Sequence, residues 1–323
     1  VSLDRSPPSQ RAVELAIAAR ARGLIGLLRR SDVHASGMAR PAVLRAEGPD
    51  AASFLHSQLT NEVNKLQPGE GNAQARVSRT GHLEAWFTLH RLTRRDEPHP
   101  AFLALVEEDV VQALHDTLDA FLFSDRLTLT IERDRDWIAA QGPEIEAVLD
   151  AVFGALGFEP WGTLTEGSIR PLRRTRGTVG VPLTDGVFAV RRSLTGDAGF
   201  LIGLPAGSEA FEPLADALRA AATPLGVPVI EGGAFSEALE ILRIEAGLAR
   251  VGPDTPKRRL LPETGLEHTT VSYTKGCYIG QEVIARVRTY GSVPNLLRAL
   301  LLPTITGCDE AGRTAGYDEA ARQ

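Results

Sequence analysis

The sequence predicts an α+β fold of more than one domain, and three observations lead there. The chain of 323 residues is longer than one hydrophobic core comfortably organises, so two or three domains are expected. Its first half alternates short period-two apolar runs with segments of helical period, in the order strand, helix, hairpin, strand, helix, strand. A second series of segments, from about Trp137 to Ile230, follows a similar order and suggests a diverged internal duplication. Such an order packs helices on largely antiparallel sheets.

Taken along the chain, "RAVELAIAARARGLIGLLRR" reads as a first helix; its Glu14, the preceding Asp4 and the scarcity of serine separate it from an organellar leader. "AVLRAEG" (42–48) alternates as a strand, and "PDAASFLHSQL" opens a helix with Pro49 at its first position. "AQARVSRTGHLEAWFTLHRL" is a hairpin turning at Arg79-Thr80-Gly81. On its second strand Leu83, Ala85, Phe87 and Leu89 share one face, while His82, Glu84, Trp86 and His90 share the other. A strand at 101–106 precedes a helix from about Asp109 whose Val110, Leu114, Leu118, Phe121 and Leu122 point inward; "RLTLTIER" closes the set. In the second unit, "GPEIEAVLDAVFGALG" is a helix started by proline and ended by glycine. Strands "GVFAVRRS" and "GFLIGL", a helix around "SEAFEPLADALRAAA" and a strand "VPVI" follow it. "GGAFSEALEILRIEAG" is a further helix, with Ser236 as its N-cap and Gly247 as its stop. The expected divisions are 35–136, 137–235, 236–295 for a returning helix and cysteine segment, and 296–323 for a short tail.

Charge and composition narrow the function. A net charge of −6 and a pI near 5.7 argue against a general nucleic-acid binder. Arg173, Arg174 and Arg176 form a basic cluster that reads as a solvated loop or as a holder for one small anion. Two cysteines, Cys277 and Cys308, make no disulfide framework, so a reducing, cytoplasmic setting is expected. No run of 18 apolar residues offers a membrane span. None of the seven histidines has metal-ligand spacing to a cysteine or to another histidine.

Three stretches carry candidate chemistry. In "KGCYIGQEVIAR" (275–286) the glycines permit close backbone approach, and Lys275 and Arg286 stand near enough in sequence to favour a thiolate at Cys277. Gln281 and Glu282 can hydrogen-bond a polar heterocycle, and Tyr278 can cover an apolar face. Cys277 as a packed core cysteine is the competing reading. In "RRSLTGDAGFLI" (191–202) a turn presents Asp197 at its tip, either as an Asx-type turn or as a carboxylate for the paired N–H groups of an aminopyrimidine. In "LEILRIEAGLARVGPD" Glu240, Arg243 and Gly247 share one helical stripe, where a surface ion pair is the plainer alternative to ligand binding.

Together these stretches resemble the YgfZ-type folate-binding proteins, relatives of the glycine-cleavage T-protein (aminomethyltransferase). "KGCYIGQEVIAR" is the specific element. "FLHSQLTNEV", "LQPGEG", "TGHLEA", "LDAFLFSDRLTLT", "RRSLTGDAGFLI", "LRIEAGLARVGPD" and "LPETGL" match in order, over about residues 35–300. The resemblance implies a T-protein-like cloverleaf of ferredoxin-like α+β domains around a central hole for tetrahydrofolate, with a C-terminal β-barrel, of which the tail is too short to make the whole. It implies that Asp197 reads the aminopterin edge and that Arg243 lies there or near the glutamate tail. It places Tyr278, Gln281, Glu282 and Arg286 about the folate, with Cys277 as a functional thiol facing the cavity and Lys275 beside it. It further implies maintenance or assembly of iron–sulfur clusters on client proteins, tRNA-thiolating radical-SAM enzymes included. One departure matters for chemistry. The T-protein hairpin reads Gly-Gly-hydrophobic-hydrophobic-Asp-Asp, whereas here Thr80-Gly81-His82-Leu83-Glu84-Ala85 keeps only one acid. A folate-dependent aminomethyl- or methyltransferase with Glu84 as its base is the alternative, and an interaction scaffold without folate is the third.

Overall fold

Two sheets meet back to back in the computed structural model, which describes residues 8–32, 40–93, 98–158, 165–172, 186–255 and 259–298. The first sheet is antiparallel throughout, in the order β3-β4-β5-β2-β6. Its strands are β2 (Pro41–Glu47), β3 (Gly71–Val77), β4 (Leu83–Arg91), β5 (Ala101–Glu107) and β6 (Thr128–Glu132). Helices α2 (Ala51–Gln58) and α3 (Val111–Asp119) cover one of its faces, where Phe54, Leu55, Leu114 and Leu118 pack on Phe87, Leu89, Phe102 and Ala104.

The second sheet runs β11-β1-β7-β10-β9-β8. It comprises β1 (Leu24–Leu28), β7 (Arg135–Gln141), β8 (Ile169–Pro171), β9 (Phe188–Arg191), β10 (Gly199–Pro205) and β11 (Val229–Glu231). Only β1 and β11 pair in parallel. Both faces of this sheet are buried. Ile25, Leu27, Ile138, Ala140, Phe200 and Ile202 pack on α4 (Ile145–Leu156) and α5 (Phe211–Ala222). Leu24, Leu28, Trp137, Ala139 and Leu201 turn the other way, toward α1 (Gln10–Arg22) and α6 (Gly233–Glu245). Val43, Leu103 and Leu105 of the first sheet join that second cluster, so one apolar seam holds the sheets together. Two short segments finish the fold: α7 (Glu267–Thr270) and α8 (Gln281–Tyr290).

Several expectations change. The first helix ends at Arg22, and after Gly23 the five residues Leu24–Leu28 form the fully buried strand β1. Gly23, at φ 108°, makes the break, because a Cβ there would meet the Gln141 carbonyl at 2.8 Å. Pro49 and Pro143 stand just outside their helices, whose first residues are Ala51 and Ile145. Ser236 is no N-cap. It lies inside α6, which starts at Gly233 on a positive-φ Gly232. Leu83 leaves the face of Phe87 and Leu89 because the β3–β4 register shifts at Arg76/Val77. It packs instead beside Ala75, Val77, Leu261, Tyr278 and Ile284.

No closed barrel forms among the described residues; Cys308, the rest of the tail from 299 on, and the Arg173, Arg174 and Arg176 cluster lie outside them. Among the described residues no helix is long and apolar enough to cross a membrane.

Candidate functional site: a cleft between the sheets

A cleft of about 960 Å³ opens beside the seam, near the upper end of the range usual for small-molecule sites. Trp86 and Thr88 reach it from the face of β4 opposite the core, and Asn72 comes from β3. The second sheet supplies Glu166, Arg191, Arg192 and Asp197 through its loops and strand ends. A neighbouring cleft of about 430 Å³, lined by Arg243, Asp254 and Leu297, shares Trp86, Leu248 and Thr269 with it.

The predicted pair Asp197 and Arg243 divides between the two clefts. Asp197 is exposed at its turn, where Gly196 (φ 87°) donates its N–H to Ser193 Oγ at 2.9 Å. Arg243 is buried and each of its nitrogens is engaged: by Glu240, by Asp254 and by the Leu248 carbonyl at 3.0 Å. Burial opposes its charge, but Glu240 and Asp254 outweigh burial and hold it above the ordinary arginine value. Arg250 extends the network, donating to Glu107 at 2.9 Å and to Glu240 at 3.4 Å. The ion pair on the Glu240–Arg243 stripe is therefore real, with its arginine buried, and through Asp254 and the Leu248 carbonyl Arg243 fastens the loop after α6 to the helix.

The buried cation of the larger cleft is Arg192, a residue that sequence reasoning did not single out. It is buried, sits 5.7 Å over the Trp86 ring and donates one hydrogen bond, to the Leu105 carbonyl at 3.3 Å. Burial pulls its pKa down while Glu107 and Glu166 work the other way. Glu166, raised by burial, accepts the Ser193 N–H at 2.9 Å. Trp86 is fixed by donating Nε1–H to the Ala249 carbonyl at 3.1 Å. The doublet Arg191-Arg192 before the Asp197 turn, and the alternation that puts Trp86 opposite the core, were the signals available.

The cysteine loop is a different kind of place. Lys275 is buried and its Nζ donates to the carbonyls of His56, Leu59 and Asn61 at 2.6, 2.7 and 2.9 Å. An ammonium has three donors, so none remains for a thiolate. Lys275 closes the C-terminal end of α2 rather than activating Cys277, and burial pulls its pKa down to about 8. Tyr278 is buried against Ala75, Val77, Leu261 and Ile284, with Lys275 Nζ 5.2 Å from its ring centre. Gly280 (φ 79°) must be glycine: a Cβ would meet the Ser78 carbonyl at 2.4 Å. Gln281 and Glu282 open α8, and Glu282 pairs with Arg286 at 2.6 Å on the surface. Arg286 thus meets a carboxylate, not the thiol. Cys277 itself is exposed and lines neither cleft, and Tyr278, Gln281, Glu282 and Arg286 stand apart from the clefts with it. Among the described residues no group of three or more His, Cys, Asp or Glu side chains forms a metal site.

Residues 30–275 match the model of the GCVT N-terminal domain. The chain belongs to that family. It is 28% identical over 282 residues to an Arabidopsis thaliana protein named "Putative transferase, chloroplastic", covering 85% of this chain and 57% of that one. It is 29% identical over 249 residues to an aminomethyltransferase of Shouchella clausii, covering 77% of this chain and 62% of that one. The chain thus spans about three fifths of the length of these two relatives. Among solved structures, the glycine cleavage system aminomethyltransferase T of Bartonella henselae superposes with a TM-score of 0.66 at 22% identity, over 87% of this chain and 67% of that one. That likeness shows the fold: an α+β, T-protein-like arrangement of ferredoxin-like sheets.

Proposed function

We propose that this protein binds tetrahydrofolate in the cleft between its sheets and acts as a YgfZ-type accessory factor, in the cytoplasm, for iron–sulfur cluster assembly or maintenance on client proteins. The observation that carries the reading is the lining of the larger cleft. An anchored indole supplies an apolar platform, Asp197 and Glu166 supply acceptors, and Arg192 supplies a buried donor. A reduced pterin with its aminopyrimidine edge is complementary to that set: a flat ring, paired N–H donors and a carbonyl acceptor. Family membership adds weight to the same ligand class.

The accessory role draws on the cysteine loop. Cys277 is presented outward on a segment braced by Lys275 and Gly280, where a partner protein can reach it. One thiolate cannot hold a cluster, since the common clusters take four protein ligands, so the rest come from a client or a small molecule. Transient transfer, or thiol chemistry at a protein–protein contact, fits an exposed thiol better than a resident cluster. The second reading, folate-dependent aminomethyl- or methyl transfer, is favoured by the names of the relatives and by Glu84. This carboxylate is partly exposed on β4, 3.7 Å from the buried Arg76.

Equilibrium titration with tetrahydrofolate tests the ligand: saturable binding supports the cleft, and its absence leaves an interaction scaffold. Folate-dependent ammonia release from an aminomethyl-lipoyl carrier separates the two activities. Robust turnover would replace the accessory reading with the transferase.

A further inference from the structure

The wall of the larger cleft contains a hydroxyl whose hydrogen-bonding direction is fixed by a residue behind it. His90 on β4 is completely buried, with Nδ1 2.7 Å from the Gly167 carbonyl and Nε2 3.0 Å from Thr88 Oγ1. A carbonyl only accepts, so Nδ1 carries the proton. Burial, with Arg192 nearby, keeps the ring neutral, and Nε2 is then an acceptor. The Thr88 hydroxyl must therefore donate its single proton inward to His90. Thr88 also lines the cleft, so a ligand that meets this hydroxyl there finds lone pairs alone.

The arrangement is enforced by the chain around it. Gly71 lies opposite His90 in the β3–β4 ladder, and a Cβ there would come within 2.3 Å of Nδ1 and 2.5 Å of the Gly167 carbonyl. Any other residue at 71 would break the bond that sets the tautomer. Gly167, at φ 83°, is pressed on Gly71 in return, 2.7 Å from its carbonyl to the Cβ that Gly167 lacks.

We infer that Thr88 is a specificity residue that selects the reduced over the oxidised pterin ring, by accepting an N–H that only the reduced ring carries. The inference rests on the folate reading of the cleft. In tetrahydrofolate N5 and N8 each bear a hydrogen, whereas in folic acid both are bare acceptors. A bare ring nitrogen set against an acceptor-only hydroxyl is repelled, and a ring N–H is bound. His90 is the positioning residue, because it removes the proton with which a free threonine would greet either ring.

The test is binding of tetrahydrofolate and of folic acid, kept under reducing and anaerobic conditions, to the full chain and to Thr88→Val and Thr88→Ser. Wild type should prefer the reduced ligand. Thr88→Val, equal in shape but without the acceptor, should lose roughly tenfold in affinity for tetrahydrofolate while folic acid binds as well or better. Thr88→Ser should restore the preference. Equal losses for both ligands, or none, in Thr88→Val would overturn the assignment of Thr88 while leaving the folate reading standing. Failure of wild type to bind either ligand would overturn both.

Discussion

The cleft and the cysteine loop lie on one scaffold and solve opposite problems. In the cleft three side chains are oriented before any ligand arrives: Trp86 by the Ala249 carbonyl, Thr88 by His90, Arg192 by the indole beneath it. In the loop the backbone is fixed, through the three carbonyl bonds of Lys275 and the close approach of Gly280 to Ser78, but the Cys277 side chain is left in solvent. Preorganised donors and acceptors suit recognition of a small polar ring. A rigidly held yet exposed thiol suits an encounter with another macromolecule. The two regions should therefore fail separately when mutated.

The largest expected effect lies on the cleft side. His90 is held neutral with its pKa pushed down to about 3, while an unfolded histidine titrates near its ordinary 6.5. Below that value the unfolded chain binds a proton that the native state refuses. Stability supplied by this group is therefore complete above pH 6.5 and falls by about 1.4 kcal/mol per pH unit toward pH 3. Denaturant melts of wild type and His90→Gln at pH 7 and pH 4.5 should show the extra acid loss in wild type alone. Parallel pH profiles would mean that the ring is not held neutral. Of comparable size, Leu114→Ala should lower stability by about 2–5 kcal/mol through lost burial and the cavity left behind, read from the same melts. It should not change which ligand binds.

On the loop side, Lys275→Met leaves three carbonyls at the end of α2 without their donor and should cost about 1.5–3 kcal/mol, together with faster amide exchange at Ile279. Unchanged exchange there would show that the loop is held by other contacts. The smallest effect on the fold belongs to Cys277→Ser, which should shift stability by less than about 0.5 kcal/mol and leave folate affinity intact. Its consequence should appear only with a cluster-dependent client enzyme, whose activity the serine variant fails to support. Full client activity would show that the exposed thiol is dispensable.

How far the sequence disclosed this division depends on the range of the interactions. The α3 stripe and its sheet face were legible because helix and strand periods are local, and Leu114 is buried where the pattern put it. Strand β1 was not. A five-residue apolar run buried on both faces carries no period of its own and extended the helical pattern before it. Leu83 was misplaced by a bulge that alternation cannot foresee. At the site, Asp197 on the cleft was readable from turn chemistry and the Glu240–Arg243 pair from helical spacing, whereas the role of Lys275 was set by distant partners. The acceptors of Lys275 are backbone carbonyls more than 200 residues away, and backbone carbonyls leave no mark in a sequence.

If the protein works as proposed, ligand recognition and thiol chemistry are housed apart, with folate in the cleft and Cys277 outside it. A crystal structure with tetrahydrofolate bound tests this most directly. The pterin should lie against Trp86 with Thr88 and Asp197 at its polar edge, and no ligand atom should contact Cys277. A pterin seated on the 275–282 loop, with the Cys277 sulfur against its ring, would show that the two functions share one site.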